Sequence, residues 1–297
     1  MNIIGKKYIF LSISGVLIIV SVIAVAVFGF HPGIDFVGGT LWQVKLQTTD
    51  YRLQTTDLKD FFENNLGVKN LTVFPSENQT FLLRLGHISE NDHQQYLAAL
   101  KTKFGNVEEV RFESIGPAIG KELRTKAFWA IGLVLLGISL FIAFAFRKVS
   151  YPVKSWKYGV ITLITLFHDI IIPSGLIAVL GAWKGVELDT TFIVALLVIM
   201  GFSVHDTIVV FDRIRENLLL SRERENLPKI VNDSVNQTLA RSINTSLTLV
   251  LTLLALFFVG PATLRYFILI ILAGTIIGTY SSIFVAASLL TLSKSKG

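Results

Sequence analysis

Cysteine is absent from the 297 residues, so neither a disulfide framework nor a thiolate metal site is available. Charge is scarce too: Asp, Glu, Lys and Arg make up 16% of the chain, against about a quarter in soluble domains. No Walker phosphate loop is present, so ATP hydrolysis by the chain itself is not expected. No nucleophile–base constellation or hydrolytic metal motif marks an enzyme. What fills the chain is apolar: 52% of the residues are hydrophobic and the mean hydropathy is +0.62. The chain therefore reads as an integral membrane protein. Its net charge of +6 does not point to nucleic acid, because most Lys and Arg of the short loops flank apolar runs.

Six runs approach the ~20 residues needed to cross a hydrocarbon core: 8–30, 127–146, 158–180, 190–211, 242–259 and 264–292. The first contains an "AVA" triplet at 24–26, but it exceeds a signal-peptide core of about 7–15 residues and reads as an uncleaved anchor. Lys6 and Lys7, the cluster Arg147, Lys148, Lys154 and Lys157, the run from Arg213 to Lys229, and Lys294 and Lys296 fall on one side. The opposite short loops offer only Lys184 and Arg265. The positive-inside rule then puts both termini in the cytoplasm and residues 31–126 outside. The stretch 213–240 is charged, then amphipathic, and interrupted by Pro228. Two readings stay open for it: a helix at the membrane surface near anionic lipid, or a solvated connector.

Residues 31–126 read as a small domain. "GGTLWQVKLQT" has strand character; "TTDLKDFFENNL" is helical with Thr55 or Thr56 as cap; "NLTVFPS" and "QTFLLRL" form two strands with a turn at Glu77–Asn78. "SENDHQQYLAALKTKFG" is a second helix, capped by Ser89 and stopped by Gly105, and "NVEEVRFESIG" alternates like a last strand. The order βαββαβ is the ferredoxin-like arrangement. The expected architecture is thus a six-helix all-α membrane bundle with an extracytoplasmic α+β domain between the first and second spans: 1–30, 31–126 and 127–297. His31, His87 and His93 are not spaced as a metal site.

The polar residues inside the spans are the functional candidates. A carboxylate at membrane depth costs several kcal/mol unless paired, hydrated or protonated. Asp206 lies inside the fourth span and shares a helical face with Phe202, Ser203, Val209, Val210 and Arg213. Asp212 and Arg213 sit at the span boundary, where charge is cheap. The fifth span carries a stripe of Arg241, Asn244, Thr245, Thr248 and Thr252, and the third carries Thr162, Thr165 and Asp169 beside His168, with a kink expected at Pro173. Gly274, Gly278, Ser282 and Ala286 make a small-residue ladder in the sixth span, read as helix packing. A carboxylate that alternately meets and loses an arginine takes up and releases a proton as helices move. With two Asp residues at depth, a multi-carboxylate divalent-metal cage is not expected.

Four motifs carry a family resemblance. "GIDFVGGT" (33–40), "FHDI" (167–170), "GFSVHDTIVVFDRIREN" (201–217) and "QTLARSINTSLT" (237–248) resemble, in order and over essentially the whole chain, signatures of the SecD/SecF family within the resistance-nodulation-division superfamily. One position departs: the family usually has Asn where His205 stands. His205 either adds a titratable relay or replaces the amide as a hydrogen-bonding group. The resemblance implies a subunit of the bacterial cytoplasmic membrane that pairs with the six-span SecD, associates with the SecYEG channel and often YajC, and uses the proton gradient to help complete export of a translocating polypeptide. No cofactor is implied. The carried proton-path residues are Asp206 and Arg241, with Asn244, Thr245, Thr248, Asp169 and His205 beside them. Gly33, Asp35, Gly38 and Gly39 belong to the signature where the outer domain is hinged. Two other functions fit the composition: a scaffold without ion coupling, and half of a small-molecule or lipid exporter of the same superfamily.

Overall fold

The computed structural model describes residues 1–46, 55–75, 79–147, 153–220 and 226–292. The Glu77–Asn78 turn, Lys148 and the tail lysines Lys294 and Lys296 lie outside the described residues. In chain order the elements are α1 (Lys7–Phe28, preceded by a 3-10 turn, Ile4–Lys6), α2 (Ile34–Val37), β1 (Gly39–Leu46), α3 (Thr55–Asn65), β2 (Thr72–Pro75) and β3 (Thr80–Leu85). There follow α4 (Glu90–Phe104), β4 (Val107–Ile115), α5 (Pro117–Ala145), α6 (Ser155–Lys184), α7 (Thr190–Leu220) and α8 (Leu227–Val259). The last are α9 (Arg265–Tyr280), a π-helical turn (Ser281–Ala286) and α10 (Ala287–Leu292). Two compact units result, residues 32–127 and the remainder.

In the smaller unit the four strands form one antiparallel sheet in the order β2-β3-β1-β4. β1 alternates inward Trp42, Val44 and Leu46 with half-buried Leu41, Gln43 and Lys45, the period of two that lets one face be covered by helices. Those side chains meet Leu58 and Phe62 of α3 and Leu100 of α4. Burying each such side chain contributes about 1.5–3 kcal/mol. Ser89 caps α4 through a reciprocal pair of bonds: its hydroxyl accepts from the Asp92 N–H at 3.3 Å, and the Asp92 carboxylate accepts from the Ser89 N–H at 3.2 Å. At the base of this unit, Gly38 has φ +78° and a Cβ there would stand 2.8 Å from Pro117 Cα.

Six helices among the described residues are long and apolar enough to cross a membrane; five lie in the larger unit, and α5 begins in the smaller unit and continues into the larger. Two boundaries differ from the sequence reading. The helix of the second span begins at Pro117 rather than near 127, because proline is tolerated in a first turn and nothing in "AIGKELRTK" breaks the helix after it. The stretch 213–240 is not a separate surface helix. Residues up to Leu220 extend α7, and Pro228 starts α8 in its first turn instead of breaking it. Residues 221–225 lie outside the described residues. The two extensions pack through Ile214, Leu218, Leu227, Val231 and Val235, and the Asn217 amide donates to Ser234 Oγ at 2.8 Å.

α6, α7 and the α9–π–α10 helix form the centre, while α1, α5 and α8 present most of their apolar surface outward. One apolar cluster contains Tyr158, Leu166, Phe211 and Ile214; a second contains Ile177, Phe192, Ile199 and Ile271. Apolar burial adds little between helices in lipid, so close approach matters more. The ladder provides it: a Cβ at Gly274 would stand 2.3 Å from Ile199 Cδ1, and one at Gly278 would stand 3.2 Å from Ser203 Cβ. Along α6 the polar layer falls between Leu166 of the first cluster and Ile177 of the second.

Candidate functional site

Asp169 is fully buried on α6. One carboxylate oxygen meets His168 Nδ1 at 2.8 Å; the other accepts from Ser203 Oγ of α7 at 2.5 Å and Ser281 Oγ of the π turn at 2.7 Å. Pro173 lies inside α6 and has no N–H to give the carbonyl four residues before it, which is that of Asp169. The helix backbone is thereby loosened at the residue that holds this network. His168 Nε2 is buried without a hydrogen-bond partner.

Asp206 lies on α7, one turn beyond Ser203, and is 5% exposed. Its carboxylate accepts from the hydroxyl of Ser282. Consecutive serines of the π turn thus serve two carboxylates on two helices. A further hydroxyl chain adjoins them: Thr279 Oγ1 lies 2.6 Å from Ser246 Oγ of α8. Thr207 and Thr275 keep buried hydroxyls without a hydrogen-bond partner.

The other candidates from the sequence stand elsewhere. Arg241, Asn244, Thr245, Thr248 and Thr252 do share a face of α8, but all five are exposed. The inward face of α8 is taken by Ser234, Thr238, Ser242, Ser246 and Leu253, which pack against the bundle. Thr248 Oγ1 donates to Thr245 O and Thr252 Oγ1 to Thr248 O, so these hydroxyls are engaged within their own helix. Among the described residues no hydrogen bond or ion pair joins Arg241 to Asp206. His205 is exposed on α7. Thr162 and Thr165 donate to carbonyls of α6 itself. Gly33 and Asp35 belong to the start of α2, with Gly38 and Gly39 at φ +78° and +133°. A Cβ at Gly120 would stand 2.9 Å from Gly38 N, so this joint is closely packed as well as glycine-dependent.

Sequence reasoning took Ser282 as a packing residue and did not single out Ser281. The signal was available in "TYSS", where two adjacent hydroxyls interrupt an otherwise apolar helix. Among the described residues no group of three or more His, Asp or Glu converges where a metal ion could sit. The arrangement instead suits a small-ion or proton relay: two carboxylates shielded from lipid, each held by hydroxyls that can donate or accept.

Comparison with known proteins agrees with the motifs. A family model described as "Protein export membrane protein SecD/SecF, C-terminal" matches residues 95–296, and one described as "SecD/SecF GG Motif" matches residues 23–50. The protein translocase subunit SecF of Thermobaculum terrenum is 44% identical, over 97% of this chain and 92% of its own. That of Anaerolinea thermophila is 38% identical, over 98% and 94%. The crystal structure of SecDF from Thermus thermophilus, a translocon-associated membrane protein, matches with a TM-score of 0.80 at 34% identity, over 98% of this chain and 38% of that longer chain.

Proposed function

The chain belongs to the SecD/SecF protein-export family, and from that premise we propose that it is a multi-pass inner-membrane subunit that pairs with SecD and couples the proton gradient to late steps of polypeptide export. The observation that carries the ion-coupled reading is Asp206, a carboxylate buried in a membrane-depth bundle and held by a hydroxyl from a π turn. A charge crossing ~100 mV is worth about 2.3 kcal/mol, enough to bias a conformational equilibrium by one to two powers of ten. The ions reach Asp206 and Asp169 through the hydroxyl layer, with Asn244, Thr245 and Thr248 lining the way from the partner side.

Pairing with SecD is supported by the outward polar stripe of α8 and by His205: Arg241 and Asn244 exposed at the bundle surface call for a polar partner surface rather than lipid. A Thermus thermophilus protein joining both names in one chain, SecDF, is 36% identical over 90% of this chain and 35% of its own length. SecYEG and YajC then contact the assembled pair. Arg241 meets Asp206 in a different conformational state of that pair. Orientation follows the basic residues. The backbone N–H groups of Ile3 and Ile4 donate to Asn232 on α8, which brings Lys6 and Lys7 to the same end as the α7–α8 extensions. That end is cytoplasmic. The 32–127 unit is extracytoplasmic and ferredoxin-like, as the order β2-β3-β1-β4 supports.

The test uses membrane vesicles holding this protein with its partner subunits. Completion of polypeptide translocation after ATP removal is compared for wild type and Asp206→Asn, with and without a proton gradient. The gradient is expected to help the wild type only. An equal response of both makes the carboxylate structural and the protein a scaffold.

A further inference from the structure

The π turn delivers two neighbouring hydroxyls to two different acids, and each hydroxyl has a second acceptor within reach. Ser281 Oγ lies 2.7 Å from Asp169 Oδ2 and 3.0 Å from Gly278 O. Ser282 Oγ meets Asp206 Oδ2 and lies 3.0 Å from Thr279 O. A serine hydroxyl has one proton to donate. It can give that proton either to the carboxylate of the neighbouring helix or to the carbonyl of its own turn, but not fully to both.

The choice depends on the acid. An ionised carboxylate only accepts, so the serine donates outward. A protonated acid presents its own O–H, so the serine accepts from it and turns its proton to the carbonyl behind. No bond to carbon changes in this exchange; the hydroxyl rotates and each proton keeps one donor and one acceptor. Adjacent side chains of an α-helix diverge by about 100°, enough for Ser281 and Ser282, at the start of the π turn, to meet acids on two different helices.

We propose that Ser281 and Ser282 are positioning residues that couple the two acids, so that a proton gained at Asp206 is registered at Asp169 through the adjacent carbonyls of Gly278 and Thr279 in the last turn of α9. This rests on the reading of Asp206 as the ion-coupling group. Ser203 strengthens the link, because it bonds Asp169 Oδ2 from α7, the helix that carries Asp206. The titratable groups facing the turn are His168 and Asp169 from α6 and Asp206 from α7, with Tyr280 preceding it on α9. α10 has no titratable residue, the charged residues of α8 (Lys229, Asp233 and Arg241) are exposed, and Lys7 is the first residue of α1.

The experiment measures the pH profile of gradient-driven translocation in vesicles with the partner subunits. Ser282→Ala is expected to move the midpoint by about one pH unit or more, as loss of a bond to a charged group implies. Ser281→Ala, which removes contacts to Asp169 and Gly278 O but none to Asp206, is expected to move the same midpoint. The double variant should move it no further than the larger single one, and Ser281→Thr and Ser282→Thr, which keep the hydroxyl, should restore it. Ser281→Cys and Ser282→Cys keep the volume with a weak donor and replace the alanine variants should these fail to insert. An unmoved midpoint in the Ser281 variants, or shifts that add, overturns the coupling while leaving Asp206 in its role. A gradient response that survives Asp206→Asn overturns both.

Discussion

Gly274→Ala tests whether close approach of α9 to α7 is what sets the acid–hydroxyl layer. The added Cβ would stand 2.3 Å from Ile199 Cδ1 and 2.4 Å from Cγ1. Ile199 is 1% exposed and β-branched, so its side chain has little room and few rotamers to yield. Overpacking of this kind costs about 1–3 kcal/mol. Alanine's better helix propensity returns about 1 kcal/mol, so the net cost is about 0–2 kcal/mol, toward the upper end because contacts of 2.3 and 2.4 Å cannot be accommodated without displacement. At roughly 2–4 °C per kcal/mol for larger domains, the detergent-solubilised protein should melt a few degrees lower. Ile199→Ala alone opens a cavity and costs about 2–5 kcal/mol. Combined, the two changes fit each other, so the double variant should be more stable than their sum predicts by at least about 1 kcal/mol. Translocation should follow the same pattern, because Ile199 stands one turn before Ser203 on α7 and Gly274 two turns before Ser282. Strictly additive melting shifts would refute the argument, since they would show that the two residues do not press on one another.

Two further changes probe the joints. Gly38→Ala forces a side chain into φ +78°, ψ 165°, a region populated essentially by glycine alone, and against Pro117 Cα at 2.8 Å; such a conformation costs about 1–3 kcal/mol, so limited proteolysis of the 32–127 unit should quicken severalfold. Asn232→Ala removes the acceptor for the N–H groups of Ile3 and Ile4, at 2.9 and 3.2 Å, and the donor to Met1 O at 3.1 Å. Amide exchange at residues 3–4 should accelerate about tenfold or more, while exchange in the core of α7 stays as it was.

How far the sequence carries the fold depends on the kind of signal. β1 and α4 are legible because alternation and a capping box are local: Trp42, Val44 and Leu46 point inward by period alone, and Ser89 with Asp92 marks a helix start whatever surrounds it. The start of α5 is less legible, since "GKELRTK" is polar by composition yet helical by propensity, and hydropathy sees only the first property. Pro228 misleads for a related reason: a proline marks a break or a beginning, and only the packing of Leu227 and Val231 decides which. Spacing shows that Arg241, Asn244, Thr245 and Thr248 share a face, but not whether that face looks in or out. The structure turns it outward, because Ser242, Ser246 and Leu253 have the smaller or more apolar side chains that fit the bundle. Ser281 and Ser282 fail the other way. Adjacent side chains diverge by about 100°, so the pair becomes intelligible only once the neighbours are known: α6 brings Asp169 to Ser281 and α7 brings Asp206 to Ser282. With Asp169 and Asp206 met by hydroxyls inside the bundle and Arg241 exposed on its outer face, the two polar faces of these helices are separated by packing, which residue spacing does not encode.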